Sequence, residues 1–160
     1  MTATRSPDVV VVGVGDLQIG RPPAKAVVTY ALGSCVGVFA WDPETRRGAC
    51  LHYMLPRCEG DDAPHRYADT GLPRLVRLVA PDRTACRRLR LIACGGATVN
   101  GDRGLFRIGQ RNIDALDRFL REVGLVLSAS DLGGTTPRTA RMDLATGKVT
   151  VGGGTRTLVL

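Results

Sequence analysis

The sequence predicts a single α+β domain. Three observations lead there: about eight short β-branched or apolar runs parted by Gly and Pro turns, two segments of helical periodicity, and no regular strand–helix alternation. A chain of 160 residues buries roughly 70% of its unfolded surface around one core, so folding requires no metal or disulfide staple.

In chain order, residues 1–7 read as a loose tail of the one domain, 1–160. Val9 to Val14 is a β-branched run closed by Gly15-Asp16. Arg21-Pro22-Pro23 turns the chain into a second strand over residues 25–31. Gly33-Ser34 interrupts it, and Val36 to Trp41 is the third strand. Asp42-Pro43 and Arg47-Gly48 mark a turn into the fourth, Ala49 to Met54. Cys58 to His65 is polar, contains Pro64 and reads as a surface loop. Asp69 or Thr70 is placed to cap a helix reaching Val79, with Pro73 in its first turn. Leu89 to Cys94 reads as a buried strand ending at Gly95-Gly96. Ile113, Leu116, Phe119, Leu120 and Val123 share one face of a helix over Ile108–Val123, stopped by Gly124. Leu125 to Ser128, Arg138 to Leu144 and Lys148 to Val151 complete the strands, with Thr146-Gly147 turning between the last two.

Composition narrows the functional classes. No apolar run reaches the ~20 residues of a membrane span and the first residues lack a signal-peptide layout, so a cytoplasmic protein without membrane insertion is expected. The net charge of +7 is almost all arginine, since only Lys25 and Lys148 are lysines. Those arginines scatter along the chain and aromatics are only 4%, so nucleic-acid binding is not expected. An odd set of five cysteines with no C-x-x-C pair suggests free thiols; neither a disulfide framework nor a metal site follows.

One cysteine stands apart. Strand two runs into Gly33-Ser34-Cys35-Val36-Gly37, where small residues let the backbone turn sharply and leave the sulfur accessible. Amides of Gly33, Ser34 and Val36 are then placed to line a substrate and hold an oxyanion. The alternative is a core cysteine beside a glycine bulge. A nucleophilic thiol needs a base, and only His52 and His65 exist. His65 lies in the polar loop. His52 lies in an apolar strand that antiparallel pairing would bring beside Cys35, although a satisfied core histidine reads the same way. A third group should orient the imidazole; Thr29 is the candidate, on the face shared by 29, 31, 33 and 35 wherever the backbone stays extended. An imidazole-paired Cys35 should titrate below the ~8.5 of a free thiol. Cys50, mid-strand without glycine access, reads as core. Cys94, ahead of Gly95-Gly96-Ala97, is a possible second lining element.

Seven segments in order resemble the CheD family of chemoreceptor glutamine deamidases: Thr29 to Gly37 (TYALGSCVG), His52 to Pro56 (HYMLP), Arg66 to Leu72 (RYADTGL), Cys94 to Ala97 (CGGA), Ile108 to Asn112 (IGQRN), Asp131 to Gly134 (DLGG) and Thr146 to Val151 (TGKVTV). The resemblance covers roughly residues 8 to 152. It implies a cysteine hydrolase that converts glutamine side chains of methyl-accepting chemotaxis receptors to glutamate, with Cys35 as nucleophile, His52 as general base and acid, and Thr29 as third catalytic residue. It also implies a mixed-sheet sandwich like the deamidase domain of cytotoxic necrotizing factor toxins, and a CheC-type phosphatase as a second partner. One departure is Pro137 before Arg138, where the family usually has glycine; a stiffer loop is expected there. The thioester chemistry requires no cofactor. A cysteine peptidase, a transamidase or a non-catalytic adaptor for receptors or CheC is the alternative.

Overall fold

The computed structural model describes residues 8–60, 62–99 and 106–160; the tail assigned to 1–7 lies outside them. Ten strands are formed among these residues: β1 (Val9–Val12), β2 (Asp16–Gly20), β3 (Ala26–Leu32), β4 (Val36–Trp41), β5 (Gly48–Tyr53), β6 (Arg90–Gly95), β7 (Ala129–Leu132), β8 (Arg138–Asp143), β9 (Val149–Gly153) and β10 (Arg156–Val159). Three helices accompany them: α1 (Ala68–Val79), α2 (Arg83–Arg88) and α3 (Ile108–Val123). The α+β class holds.

The strands form two mixed five-stranded sheets, ordered β1-β3-β8-β9-β10 and β2-β5-β4-β6-β7. Two apolar clusters explain the layering. Val27, Leu32, Phe39, Cys50, Ile92 and Met142 fill the space between the sheets. Leu51, Tyr53, Leu72, Leu75, Leu91 and Leu116 fill the space between the second sheet and helices α1 and α3. The second sheet is therefore a middle layer, and β4 and β5 are buried along their whole length. Strand periodicity divides β5 cleanly: Cys50 and His52 face the other sheet, Leu51 and Tyr53 face the helices.

Several expectations are corrected. β2 lies where Gly15-Asp16 reads as a turn; it is a polar edge strand whose Asp16 registers with His52 of β5. Residues 125–128 form no strand, because Leu125 and Leu127 pack beside the helices and the strand follows at β7, parallel to β6. Helix α1 begins at Ala68 behind Tyr67, with no side-chain cap. Asp69 instead accepts from the Cys58 amide at 3.0 Å, and the Thr70 hydroxyl donates to Pro64 O at 2.6 Å. Pro73 consequently falls in the second helical turn and removes one i to i−4 bond. The loop over Cys58–His65 runs into a short 3-10 turn, Pro64–Arg66. Gly124 does end α3, in the left-handed region at φ 68°.

Candidate active site

Strands β3 and β5 lie in different sheets but face one another across the sandwich, which brings Thr29 and His52 together. Both are fully buried. The Thr29 hydroxyl donates to Val12 O at 2.8 Å, and its oxygen lies 2.8 Å from His52 Nδ1. A threonine hydroxyl has one hydrogen. With that hydrogen on Val12 O, the same oxygen accepts from Nδ1–H, and the neutral ring carries its free lone pair on Nε2. Nε2 is buried with no hydrogen-bond partner among the described residues. The β1–β3 pairing, which sets Val12 beside Thr29, therefore selects the tautomer of a histidine in the other sheet.

Burial also keeps that ring neutral, lowering the His52 pKa from 6.5 to about 4. An unfolded chain binds this proton below 6.5 and the folded one does not, so stability is full above 6.5 and falls as pH drops towards 4. Over that window the loss is roughly 3 kcal/mol from this group. His52→Asn should lose less stability than wild type between pH 6.5 and 4.5, as read by denaturant unfolding. Parallel losses would show that His52 is not the titrating group.

Cys35 lies in the bend over residues 33–35, where the chain crosses from the first sheet to the second. Ala31 begins the crossing at φ 56°, a left-handed conformation costing alanine about 1 kcal/mol. The register shifts between Thr29 and Leu32, so the shared-face argument for 29 to 35 fails. Thr29 reaches the imidazole through sheet stacking instead.

Three successive carbonyls pin the bend from one side. Gly33 O accepts from Ala97 N at 2.8 Å and Cys35 O from Gly96 N at 2.8 Å. Ser34 O accepts from the Asn112 side-chain amide at 2.9 Å. The Gly33 amide is already donated to Ala31 O at 3.0 Å, which removes it from the expected oxyanion donors. Val36 opens β4 and pairs with Tyr53, and Gly37 pairs with His52. A Cβ at Gly37 would lie 3.1 Å from Leu32 and 3.5 Å from Thr29. The missing side chain lets Leu32 and Thr29 pack closely against β4 at the position paired with His52. Cys35 lies two residues before the His52-paired Gly37 and is half-buried.

The sulfur does not titrate low. Burial raises the Cys35 thiol above its ordinary value, only partly countered by its own backbone N–H. The imidazole that would have lowered it is itself uncharged. Burial thus works against the charged form of both groups, contrary to the expectation of a low-pKa thiolate. The other cysteines fit the site less well. Cys50 is fully buried with its thiol pushed far up, and Cys94 is pushed to about 12. The Cys86 thiol donates weakly to Ala80 O at 3.6 Å. Among the described residues no group of His, Cys, Asp and Glu side chains could hold a metal ion.

Sequence reasoning missed the supports of this bend. Arg138 donates to Asp131 at 2.9 Å and to Gly133 O at 2.7 Å, and reaches Gly95 O at 3.4 Å. Gly133 N also donates to Gly95 O at 2.9 Å. That network steadies the Gly95-Gly96 corner holding Cys35 O, and Pro137 does not keep Arg138 from it. The D-x-G-G spacing before an arginine was the available signal, but only the register of β6, β7 and β8 gives it meaning.

A family model described as CheD chemotactic sensory transduction matches residues 54–152. Similar curated proteins extend further. A probable chemoreceptor glutamine deamidase CheD of Solibacter usitatus is 39% identical over 145 residues, covering 88% of this chain and 86% of the relative. Its counterpart CheD 2 in Anaeromyxobacter dehalogenans is 42% identical over 153 residues, covering 91% and 94%. The chemoreceptor glutamine deamidase CheD of Thermotoga maritima is 37% identical over 148 residues, covering 90% and 93%. The chain belongs to the CheD family. No helix among its described residues is long and apolar enough to cross a membrane.

In this CheD-family chain Thr29 is open to a graded test. If its oxygen orients His52, Thr29→Ser keeps most activity and Thr29→Ala loses part of the ~10²–10⁴-fold contribution of general acid–base catalysis. Thr29→Val, nearly isosteric, should then be as poor as alanine. A valine variant at wild-type rate would remove Thr29 from the catalytic set.

Proposed function

We propose that this protein is a chemoreceptor glutamine deamidase: a cysteine hydrolase that converts receptor glutamine side chains to glutamate and releases ammonia, in chemotaxis adaptation. The observation that carries the chemistry is the Thr29–His52 bond, which leaves a bare, buried Nε2 on the residue paired with Gly37, two positions past Cys35. In this reading His52 Nε2 takes the Cys35 proton as the sulfur attacks the glutamine γ-carbonyl, forming the C–S bond. The amides of Ser34 and Cys35 face away from the pinned carbonyls and hold the oxyanion. The imidazolium returns the proton to nitrogen, the C–N bond breaks and ammonia leaves. Water, deprotonated by the same Nε2, attacks the thioester; the C–S bond breaks, the imidazolium returns its proton to the Cys35 sulfur, and glutamate is released.

Burial that disfavours both charged forms suits this sequence, in which the proton moves as the sulfur attacks. The new glutamate adds one negative charge to a helical receptor surface and alters its packing against charged neighbours. The same reading places the single domain in the cytoplasm, likens its sandwich to the toxin deamidase domain, and gives it a CheC-type phosphatase as second partner; the family resemblance supports all three.

Ammonia release from a receptor's cytoplasmic fragment tests the activity. Release that requires both the fragment and the folded protein supports deamidation. A folded protein that releases none from receptors of its own source refutes it.

A further inference from the structure

We propose that Asn112 is a positioning residue for the reaction: its side-chain amide aims the Cys35 peptide N–H at the oxyanion by tethering the Ser34 carbonyl to helix α3. This rests on the deamidase reading above and adds a residue to it. Asn112 is fully buried in the second turn of α3. Its two amide hydrogens have two acceptors, Ser34 O at 2.9 Å and Met54 O at 2.8 Å. One side chain therefore joins the bend carrying Cys35 to the end of the strand carrying His52.

The consequence follows from peptide geometry. Ser34 C=O and Cys35 N–H belong to one planar, trans unit and point in opposite directions. Tying the carbonyl to α3 turns the N–H away from the helix. The Gly33 amide is spent on Ala31 O, so the aim of the Cys35 amide matters more. The side chain's own orientation is determined as well: a flipped amide would set Oδ1 against two carbonyl oxygens.

The rest of α3 serves this reach. A Cβ at Gly109 would lie 2.6 Å from both Gly96 O and Ala97 O, so glycine there lets the helix approach the corner closely. Tyr53 OH donates to Asn112 O at 2.8 Å, fixing the helix against the residue next to His52. Meanwhile Asn112 Oδ1 is buried without a partner among the described residues. An unpaired acceptor is costly to bury, and packing alone would favour an apolar side chain at this position. Among the described residues the buried side-chain atoms without partners are Asn112 Oδ1 and His52 Nε2; Asn112 bonds Ser34 O, and His52 pairs with Gly37.

Asn112→Ala and Asn112→Asp test the assignment in the full chain, with two readouts on the same preparations. Deamidation of a receptor fragment passes through an oxyanion. Alkylation of Cys35 by iodoacetamide, followed by peptide mapping, displaces iodide and forms none. The expected result is a fall in kcat of about 10- to 100-fold, below the loss of a whole oxyanion donor, with KM and the Cys35 alkylation rate within about twofold of wild type. Asn112→Ser, which retains one donor, should lie between, and it replaces the other two should they not fold. Equal losses in both readouts, or unchanged kcat in folded variants, would overturn the proposal. Wild-type protein inactive on the fragment would instead sink the deamidase reading itself.

Discussion

Cys35→Ala should abolish deamidation, by about 10⁴-fold or more, while leaving thermal unfolding nearly unchanged. The sulfur is half-buried in a bend held by its own carbonyls through Ala97, Gly96 and Asn112, so removing it unties none of those bonds. Cys50→Ala supplies the contrast. Its sulfur is fully buried between the sheets, and its loss should cost roughly 1–2 kcal/mol of stability with activity kept. Paired measurements of rate and denaturant unfolding separate the two positions. Residual activity in the Cys35 variant above that of buffer would place the nucleophile elsewhere.

His52→Ala should be nearly as damaging, because the thiol is pushed up by burial and reacts only when a base takes its proton. A low-pKa thiolate would survive loss of the histidine far better. Groups that act as one unit do not multiply their losses, so Cys35→Ala/His52→Ala should be no slower than Cys35→Ala alone. A His52→Ala enzyme within about tenfold of wild type would point to another base.

The sequence made some of this legible and hid the rest for physical reasons. β4 and α3 were readable to the residue, because an unbroken apolar run and a strict helical stripe each leave one interpretation. The edge strands β2 and β10 were not: they pair on one side only and carry polar residues such as Gln18 and Arg156. Among the site residues, His52 is on a predicted strand and Cys35 at a predicted turn. The strand period that points to Thr29 is broken by the register shift after it. What brings it to His52 is the stacking of two sheets, which no local pattern encodes. Asn112 acts across 78 positions on Ser34, and a single asparagine on an amphipathic helix announces nothing. The thiol's high pKa depends on burial, which exists only in the folded chain.

Tandem mass spectrometry of a receptor's cytoplasmic fragment, after incubation with wild-type protein or with Cys35→Ala, decides the matter most directly. Specific glutamines should become glutamates in an otherwise intact chain, with wild type only. Cleaved backbone or amine-linked products would instead reveal a peptidase or a transamidase. Glutamines left unchanged by folded wild-type protein, or converted equally by Cys35→Ala, would contradict a Cys35 glutamine deamidase.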